Sequence, residues 1–229
     1  MRRITLLGVL VGAVLVLVGG CAGSSSQEQK PYAPHINPAE FTTTIDNTYF
    51  PLKPGTTFFY EGGSQRDRMS VTHSTKKVMG VECVVVNDRA WESGKLIEAT
   101  FDWFAQDKKG NVWYFGEDTK EYKNGKVVST KGSWEAGVDG AKPGIMMQAN
   151  PKVGESYRQE YYKGEAEDMA KVISLNESVR VPYGSFDRVL ETREWTPLQP
   201  VLFEHKYYAP GVGPLGNPWD LALTNVKRS

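Results

Sequence analysis

The sequence predicts an all-β domain, mainly antiparallel, with one curved, meander-rich sheet or half-barrel and little helix. Three observations support this: turn residues recur at strand-length intervals, the segments between them are rich in β-branched and aromatic residues, and no stretch keeps a long 3.6-residue period. The strongest turn signal is Asn124-Gly125 between EYK and KVV, because both residues tolerate the positive φ of a type I′ hairpin turn. A meander of antiparallel strands follows.

The elements can be placed in chain order. Residues 37–41, NPAEF, offer Asn37 as a cap and Pro38 at the first helical position, which predicts a single helical turn. Strands are predicted at 56–61 and 68–78. The remaining signals are a turn at Met79-Gly80 before an apolar run at 81–86, a turn at Ser93-Gly94 between strands that end near Trp91 and begin at Lys95, and residues 166–173, AEDMAKVI, which fit either a helix or a strand.

The first twenty residues have the order of a secretory signal. Arg2 and Arg3 precede an apolar run at 4–18, which is shorter than the roughly 20 apolar residues that a membrane-spanning helix needs. We therefore expect residues 1–20 to be a signal peptide that is removed on export.

The small residues before Cys21, Val18-Gly19-Gly20, resemble the lipobox of bacterial lipoproteins. This resemblance implies that the Cys21 sulfur receives a diacylglyceryl group and that the new amino terminus is acylated. More than one acyl chain is needed for lasting attachment. The resemblance therefore implies an exported protein of the cell envelope, held at a lipid bilayer through Cys21 on the periplasmic or extracellular face.

The composition after Cys21 predicts how the rest of the chain is organised. Residues 21–40 are rich in Ser, Gln and Pro with few apolar side chains, so we expect a lipidated cysteine followed by a flexible tether. Residues 41–229 are long enough for a single β-rich domain with its own core. The predicted halves of this domain are 51–130 and 150–215, and a Gly-rich loop at 131–149 joins them.

Charge and cysteine content argue against nucleic-acid binding and against a reactive cysteine. The chain carries 27 basic and 27 acidic residues, and removal of Arg2 and Arg3 with the signal leaves an excess of two acids. No field of one sign therefore favours nucleic acid as a partner. Cys83 lies in the apolar run VECVVV with no His, Lys or Arg close in sequence to lower its pKa, so we expect it to pack as a small buried side chain.

The two halves contain an internal similarity. A gap-free shift of residues 80–105 by 104 positions gives five identities, which predicts two duplicated β units but is also compatible with chance. The identities are Gly80 with Gly184, Val85 with Val189, Arg89 with Arg193, Trp91 with Trp195, and Ala105 with Ala209.

Residues 101–119, FDWFAQDKKGNVWYFGEDT, place four acids among six aromatic residues. Strand alternation separates Trp103 from Asp102 onto opposite faces, and Asp107 stands at the first position of a turn that ends at Gly110. A glycosidase needs two facing carboxylates about 5 to 9.5 Å apart. Because nothing in the sequence aims Asp102 and Glu117 at a common point, turn and core roles are favoured over catalysis.

The loop at 131–149 is predicted to carry the ligand-binding function. It contains four glycines and one proline together with a tryptophan and Ile-Met-Met. Loops this long in compact domains are usually functional or disordered, and the tryptophan with Ile-Met-Met argues against disorder. An ordered connector that only closes the core is the alternative interpretation. We expect ligand contacts from Trp134, Glu135, Asp139 and Met146 in the loop and from Trp103 and Trp113 in the strands before it.

The sequence carries no motif for a catalytic residue, a cofactor or a metal. The three histidines are scattered, and Glu204 and His205 are adjacent strand residues that point to opposite faces, so they cannot easily chelate one ion together. We predict no cofactor and no metal, and we lean towards a non-enzymatic role.

Three stretches are similar to a family of uncharacterised bacterial secreted and envelope proteins that has no assigned activity: NTYFPLKPGTTFFYEG, DWFAQDKKGNVWYFGEDT and GSWEAGVDGAKPGI. The predicted function is a membrane-anchored envelope lipoprotein that binds an apolar or amphiphilic ligand, or an envelope partner, in the concavity of its sheet. The alternatives are an envelope hydrolase with carboxylates converging from separate strands, and a purely structural envelope protein.

Overall fold

The computed structural model describes residues 31–229 and confirms the predicted fold class. Thirteen strands follow one another in a curved, almost entirely antiparallel sheet in the order β10-β12-β13-β14-β15-β16-β2-β3-β4-β5-β6-β9-β11, and β1, β7 and β8 pair beside this path. The elements are a 3₁₀ helix at Pro38–Glu40, β1 Phe41–Thr42, β2 Thr56–Gly62, β3 Gln65–Val78, β4 Val81–Glu92, β5 Lys95–Asp107, β6 Val112–Lys123, β7 Lys126–Ser129, β8 Trp134–Glu135, β9 Lys142–Met147, β10 Ser156–Arg158, β11 Glu160–Tyr161, β12 Met169–Val181, β13 Gly184–Trp195, β14 Phe203–Ala209, β15 Gly213–Gly216 and β16 Ala222–Arg228.

The sheet is nearly closed because its two ends meet at one residue. Only Gln159 separates β10 from β11, and β10 pairs with β12 while β11 pairs with β9. The core fills the inner face, where the rings of Phe104 and Tyr114 stack 4.7 Å apart and Phe50 lies between Phe104 and Tyr208. The concavity in which ligand binding was predicted is thus occupied by side chains at this level of the sheet.

Tight turns set the register of the meander as predicted. Asn124 and Gly125 have φ values of 53° and 73°, the positive values that a type I′ turn requires. Asp107 also forms the predicted turn, since its Oδ1 accepts hydrogen bonds from the amides of Lys109 and Asn111 at 2.9 and 3.0 Å. Side-chain chemistry at the turns therefore fixes which residues face each other across β5 and β6.

Two segments differ from their prediction. The connector at 131–149 is not a loop throughout, because β8 and β9 lie within it and both pair with β6. The chain also packs against the domain before residue 41: the Tyr32 hydroxyl donates to the Pro143 carbonyl at 2.8 Å, and Pro38–Glu40 forms the predicted helical turn. The part of the predicted tether before residue 31, with Cys21 and the signal peptide, lies outside the described residues.

The strand bounds agree with the shift of 104 residues. Moved by that shift, β3 covers 169–182, β4 covers 185–196 and β5 covers 199–211. β12 and β13 have nearly these bounds, whereas β14 begins four residues later than the shifted β5. The pairing also differs, because Asp102 lies opposite Val86 whereas Lys206 lies opposite Thr192 and not Leu190. The two strand triplets are therefore similar in order and length but not in register.

Among residues 31–229, no helix has the length and apolar character needed to cross a membrane.

Candidate functional site

A cleft of about 410 Å³ opens where β8 lies beside β6. Gly116 makes the close approach possible: its φ is 133°, and a Cβ atom there would lie 2.3 Å from the Trp134 carbonyl oxygen. Only glycine fits such a contact, so this residue sets the position of β8. The cleft is lined by Lys76, Trp103, Glu117, Asp118, Ser133, Trp134, Glu135, Val138, Asp139, Ala141 and Tyr162.

One wall of the cleft is an ammonium group held on an aromatic face. Lys76 Nζ lies 3.3 Å from the centroid of the Trp103 ring and 2.7 Å from Glu135 Oε2. A cation over a tryptophan ring is attracted by the negative face of the π system, and the nearby carboxylate adds to this attraction. Both charged side chains are about one-third exposed, so water weakens the ion pair but does not remove it.

The opposite wall is held rigid by the Trp134 side chain. The indole Nε1 donates to Glu160 Oε2 at 2.9 Å, and the ring packs edge-on against Tyr114 with centroids 5.3 Å apart. Two different contacts thus fix one indole in the core while part of its surface lines the cleft.

Beneath the cleft, two carboxyl groups share one phenol. The Tyr114 hydroxyl lies 2.7 Å from Asp102 Oδ1 and 3.0 Å from Glu117 Oε2. This hydroxyl has a single hydrogen, so it donates to Asp102 or to Glu117 or shares the hydrogen between them. Burial is the main cause that raises the pKa of both Asp102 and Glu117 well above their ordinary values, and neighbouring carboxyl groups raise the pKa further.

The acidic row continues along the inner face. Asp67 and Asp88 are both buried, on the neighbouring strands β3 and β4. Burial and then the Asp67 charge raise the pKa of Asp88, and burial and then Asp168 raise the pKa of Glu160. Burial therefore favours the neutral form of these carboxyl groups.

The second strand triplet carries a buried cation. Lys206 lies on β14 opposite Thr192, and its Nζ lies 3.0 Å from Glu194 Oε2 and 3.2 Å from Glu204 Oε1. Burial lowers the pKa of Lys206, but Glu194 and Glu204 raise it by more. Its net pKa thus stands above the ordinary value. Glu194 and Glu204 thus pair with a buried lysine, whereas Asp102 and Glu117 meet a neutral phenol hydroxyl.

The structure brings four of the six predicted contact residues together. Trp103, Trp134, Glu135 and Asp139 all line the cleft. The other two predicted contacts were Met146 and Trp113. They lie elsewhere: Met146 is buried on β9, where its sulfur accepts from Gln159, and the Trp113 indole donates to Asp107 in the turn after β5.

Sequence reasoning did not identify Lys76 or Glu117 as parts of this site. Lys76 lies 27 positions before Trp103, and only the strand order β3-β4-β5 brings them together. For Glu117 the signal was incomplete: a regular hairpin turning at Asp107–Gly110 would place residue 115 opposite residue 102, and irregularities in the pairing of β5 with β6 bring Glu117 there instead.

Other predicted features lie away from the cleft. Cys83 is buried, and burial first among several causes raises the pKa of its thiol to about 12, which agrees with a packing role. His205 Nδ1 contacts Glu191 Oε1 at 2.6 Å, while Glu204 points to Lys206 on the other face, as strand alternation predicted. No group of three or more candidate ligands within residues 31–229 is arranged to hold a metal ion.

Comparisons of the chain with protein-family profiles, curated proteins and solved structures find no match. The resemblance to uncharacterised envelope proteins therefore stays a prediction.

Proposed function

We propose that the protein is a membrane-anchored envelope lipoprotein, and that it acts as a non-enzymatic binding module for an amphiphilic ligand with a cationic head group. The ligand would lie in the cleft between β6, β8 and the segment that follows β8. The observation that carries this proposal is the ammonium of Lys76 on the Trp103 ring beside Glu135. The protein thus already holds one cation in the cleft, in surroundings that would hold another.

The charge around the cleft favours a cationic ligand. Glu135 is paired with Lys76 and Asp118 with Lys120, whereas Asp139 has no ion-pair partner among residues 31–229. An ammonium ligand would therefore find one unpaired carboxylate at the rim, and a second if Lys76 were displaced.

The rest of the cleft suits an apolar chain. Val138, Ala141 and Tyr162 line it together with the indole of Trp134, and Val138 is about half exposed. Binding pockets typically combine such apolar walls with a few placed polar groups. An amphiphile could put its head on Trp103 and its tail along Val138.

Calorimetric titration with dodecyltrimethylammonium, below its micelle-forming concentration, tests the proposal. We expect one site per chain and no comparable binding of dodecyl sulfate. Trp103→Leu should weaken binding roughly 5- to 30-fold, since a partly desolvated cation–π contact contributes about 1 to 2 kcal/mol. Equal binding of the two detergents, unaffected by Trp103→Leu, would reject the cleft as the site and favour a purely structural role.

One observation favours an envelope hydrolase as a second candidate. Asp102 and Glu117 come from separate strands and meet at the Tyr114 hydroxyl. Glu117 also lines the cleft, but Asp102 has no exposed surface. A hydrolase would require Asp102 or Glu117 to reach a substrate, so loss of ester or glycoside hydrolysis in Glu117→Gln, with binding retained, would establish this alternative.

A further inference from the structure

Exposed apolar side chains concentrate at one end of the sheet, which we call the basal end. Because neighbouring strands are antiparallel, every second connection lies at the same end. The connections at the basal end include the hairpin at 124–125 and the loops at 196–202 and 217–221. Of the ten large apolar side chains that are exposed among residues 31–229, six lie at this end or on the strand residues next to it: Val127, Val128, Leu198, Val201, Phe203 and Trp219.

The most exposed of these side chains are in the two loops. Val201 is 84% exposed and Trp219 is 79% exposed. The loop at 196–202, TPLQPVL, contains no charged residue. We call these two loops together with the hairpin at 123–128 the basal rim. Exposed apolar residues grouped in this way mark a surface that contacts a partner.

The chain reaches the domain from this same end. The first described contacts are those of Tyr32, whose hydroxyl donates to the Pro143 carbonyl and whose ring lies 5.6 Å from that of Tyr161. Pro143 is at the start of β9, which begins at the basal end because β9 runs antiparallel to β6. The chain then crosses to the opposite end, where Pro38 contacts the turn at Gly80. Tyr32, one residue after the first described residue, therefore lies at the basal end.

The length of that approach limits how far the domain can lie from its anchor. Cys21 is eleven residues before Tyr32, and even a fully extended chain of that length spans no more than about 38 Å. A bilayer that holds Cys21 is thus within reach of the basal rim.

We propose that the basal rim docks on the lipid surface to which Cys21 is attached, with Leu198, Val201 and Trp219 inserted at the level of the head groups. This inference rests on the proposed lipid attachment at Cys21. Tryptophan is enriched at membrane interfaces because its ring is amphipathic, and Lys123 and Lys126 flank the hairpin where they could meet lipid phosphates. The cleft would then be held at a fixed distance above the bilayer.

In the test the chain is attached to lipid by a chemical coupling, so the result does not depend on natural acylation of Cys21. The mature chain from Cys21 is coupled through that thiol to maleimide lipids in phosphatidylcholine vesicles; Cys83 does not compete because it is buried. Brominated acyl chains then quench tryptophan fluorescence. We expect quenching that falls at least twofold in Trp219→Phe and in Val201→Asp.

The matched control is Val153→Asp, which changes a side chain that is 62% exposed at the opposite end of the sheet. We expect it to quench as the unchanged chain does. Equal quenching in the Val201→Asp and Val153→Asp variants would overturn the docking, and would indicate a protein partner for the rim. Mass spectrometry of the natural protein separately reports whether Cys21 carries lipid, so the two proposals can fail independently.

Discussion

The ammonium of Lys76 lies 3.3 Å from the centre of the Trp103 ring, so the protein occupies its own aromatic site with one of its own cations. Glu135 holds the lysine in place from the other side at 2.7 Å. A ligand cation that used the same ring would have to displace this lysine. Lys76 is therefore a built-in competitor for the proposed ligand.

Removal of this competitor should increase affinity. In Lys76→Met the side chain keeps a similar length but loses its charge, which leaves the Trp103 face and Glu135 available. We expect dodecyltrimethylammonium to bind roughly 5-fold or more tightly, measured by calorimetry. Lys227→Met is the control, because Lys227 lies 5.3 Å from the Phe59 ring outside the cleft and should leave the affinity unchanged. Weaker binding to Lys76→Met would show that the lysine contributes to the site instead of blocking it.

Stability should fall as pH rises from 5 to 8. The pKa values of Asp88, Asp102, Glu117 and Glu160 are raised well above their ordinary values, mainly by burial. At these groups the folded state thus binds more protons than the unfolded state from about pH 4, the pKa of an unfolded carboxyl group, up to the folded pKa. Each such group lowers the free energy of unfolding by up to about 1.4 kcal/mol per pH unit until its folded pKa is passed. Urea unfolding at the two pH values checks this, and equal or greater stability at pH 8 would contradict it.

Opposite effects are expected at Asp102 in the first strand triplet and Lys206 in the second. Asp102→Asn removes a carboxyl group whose pKa is raised mainly by burial, so the variant should be more stable than the unchanged chain at pH 8 and lose part of the pH dependence. Lys206→Met leaves Glu194 and Glu204 close together without their cation, and should destabilise the fold by about 3 to 5 kcal/mol. Chemical denaturation of both variants at pH 8 measures the difference. A change of the same sign in both would refute the distinction between the two halves.

The shape of the cleft should depend on Gly116. A Cβ atom at Gly116 would lie 2.3 Å from the backbone of β8, so Gly116→Ala should displace β8 and abolish ligand binding. Gly94→Ala is the control: its φ is also positive, at 75°, but a Cβ there meets nothing within 4 Å. We expect a loss of about 1 kcal/mol in the control, with binding intact. Calorimetry and thermal unfolding together distinguish the two results.

The fold could be predicted from local chemistry because its turns are local. Asn124-Gly125 and Ser93-Gly94 adopt the positive φ values that their residue types favour, and the strands between the turns then follow. The connector at 131–149 was predicted as a loop because its many glycines hide the strand period. Its Gly144 is within β9 at a close approach to Gln159, where a side chain would not fit.

The site was only partly predictable for a related reason. Trp134 and Asp139 stand out by composition, but Lys76 is an ordinary exposed residue until the strand order places it over Trp103. The row of inner carboxyl groups was also missed, because alternation assigns Asp102 to a face without stating which face is buried. Contacts between distant strands depend on the whole sheet, which no single segment encodes.

The anchor can be tested by one substitution. We expect Cys21→Ala to leave the precursor with its signal peptide attached and without lipid, because both processing and acylation act at this residue in lipoproteins. Mass measurement of the chain before and after the substitution checks the prediction. Normal cleavage in the variant would mean that the signal is not that of a lipoprotein.

Native mass spectrometry of the protein purified from its own membrane tests the anchor at Cys21 and the binding function together. We predict a chain that begins at Cys21, carries covalent acyl chains and retains one non-covalent ligand that dodecyltrimethylammonium displaces. A mature chain without attached lipid and without any ligand in the cleft would contradict both the anchor and the binding function.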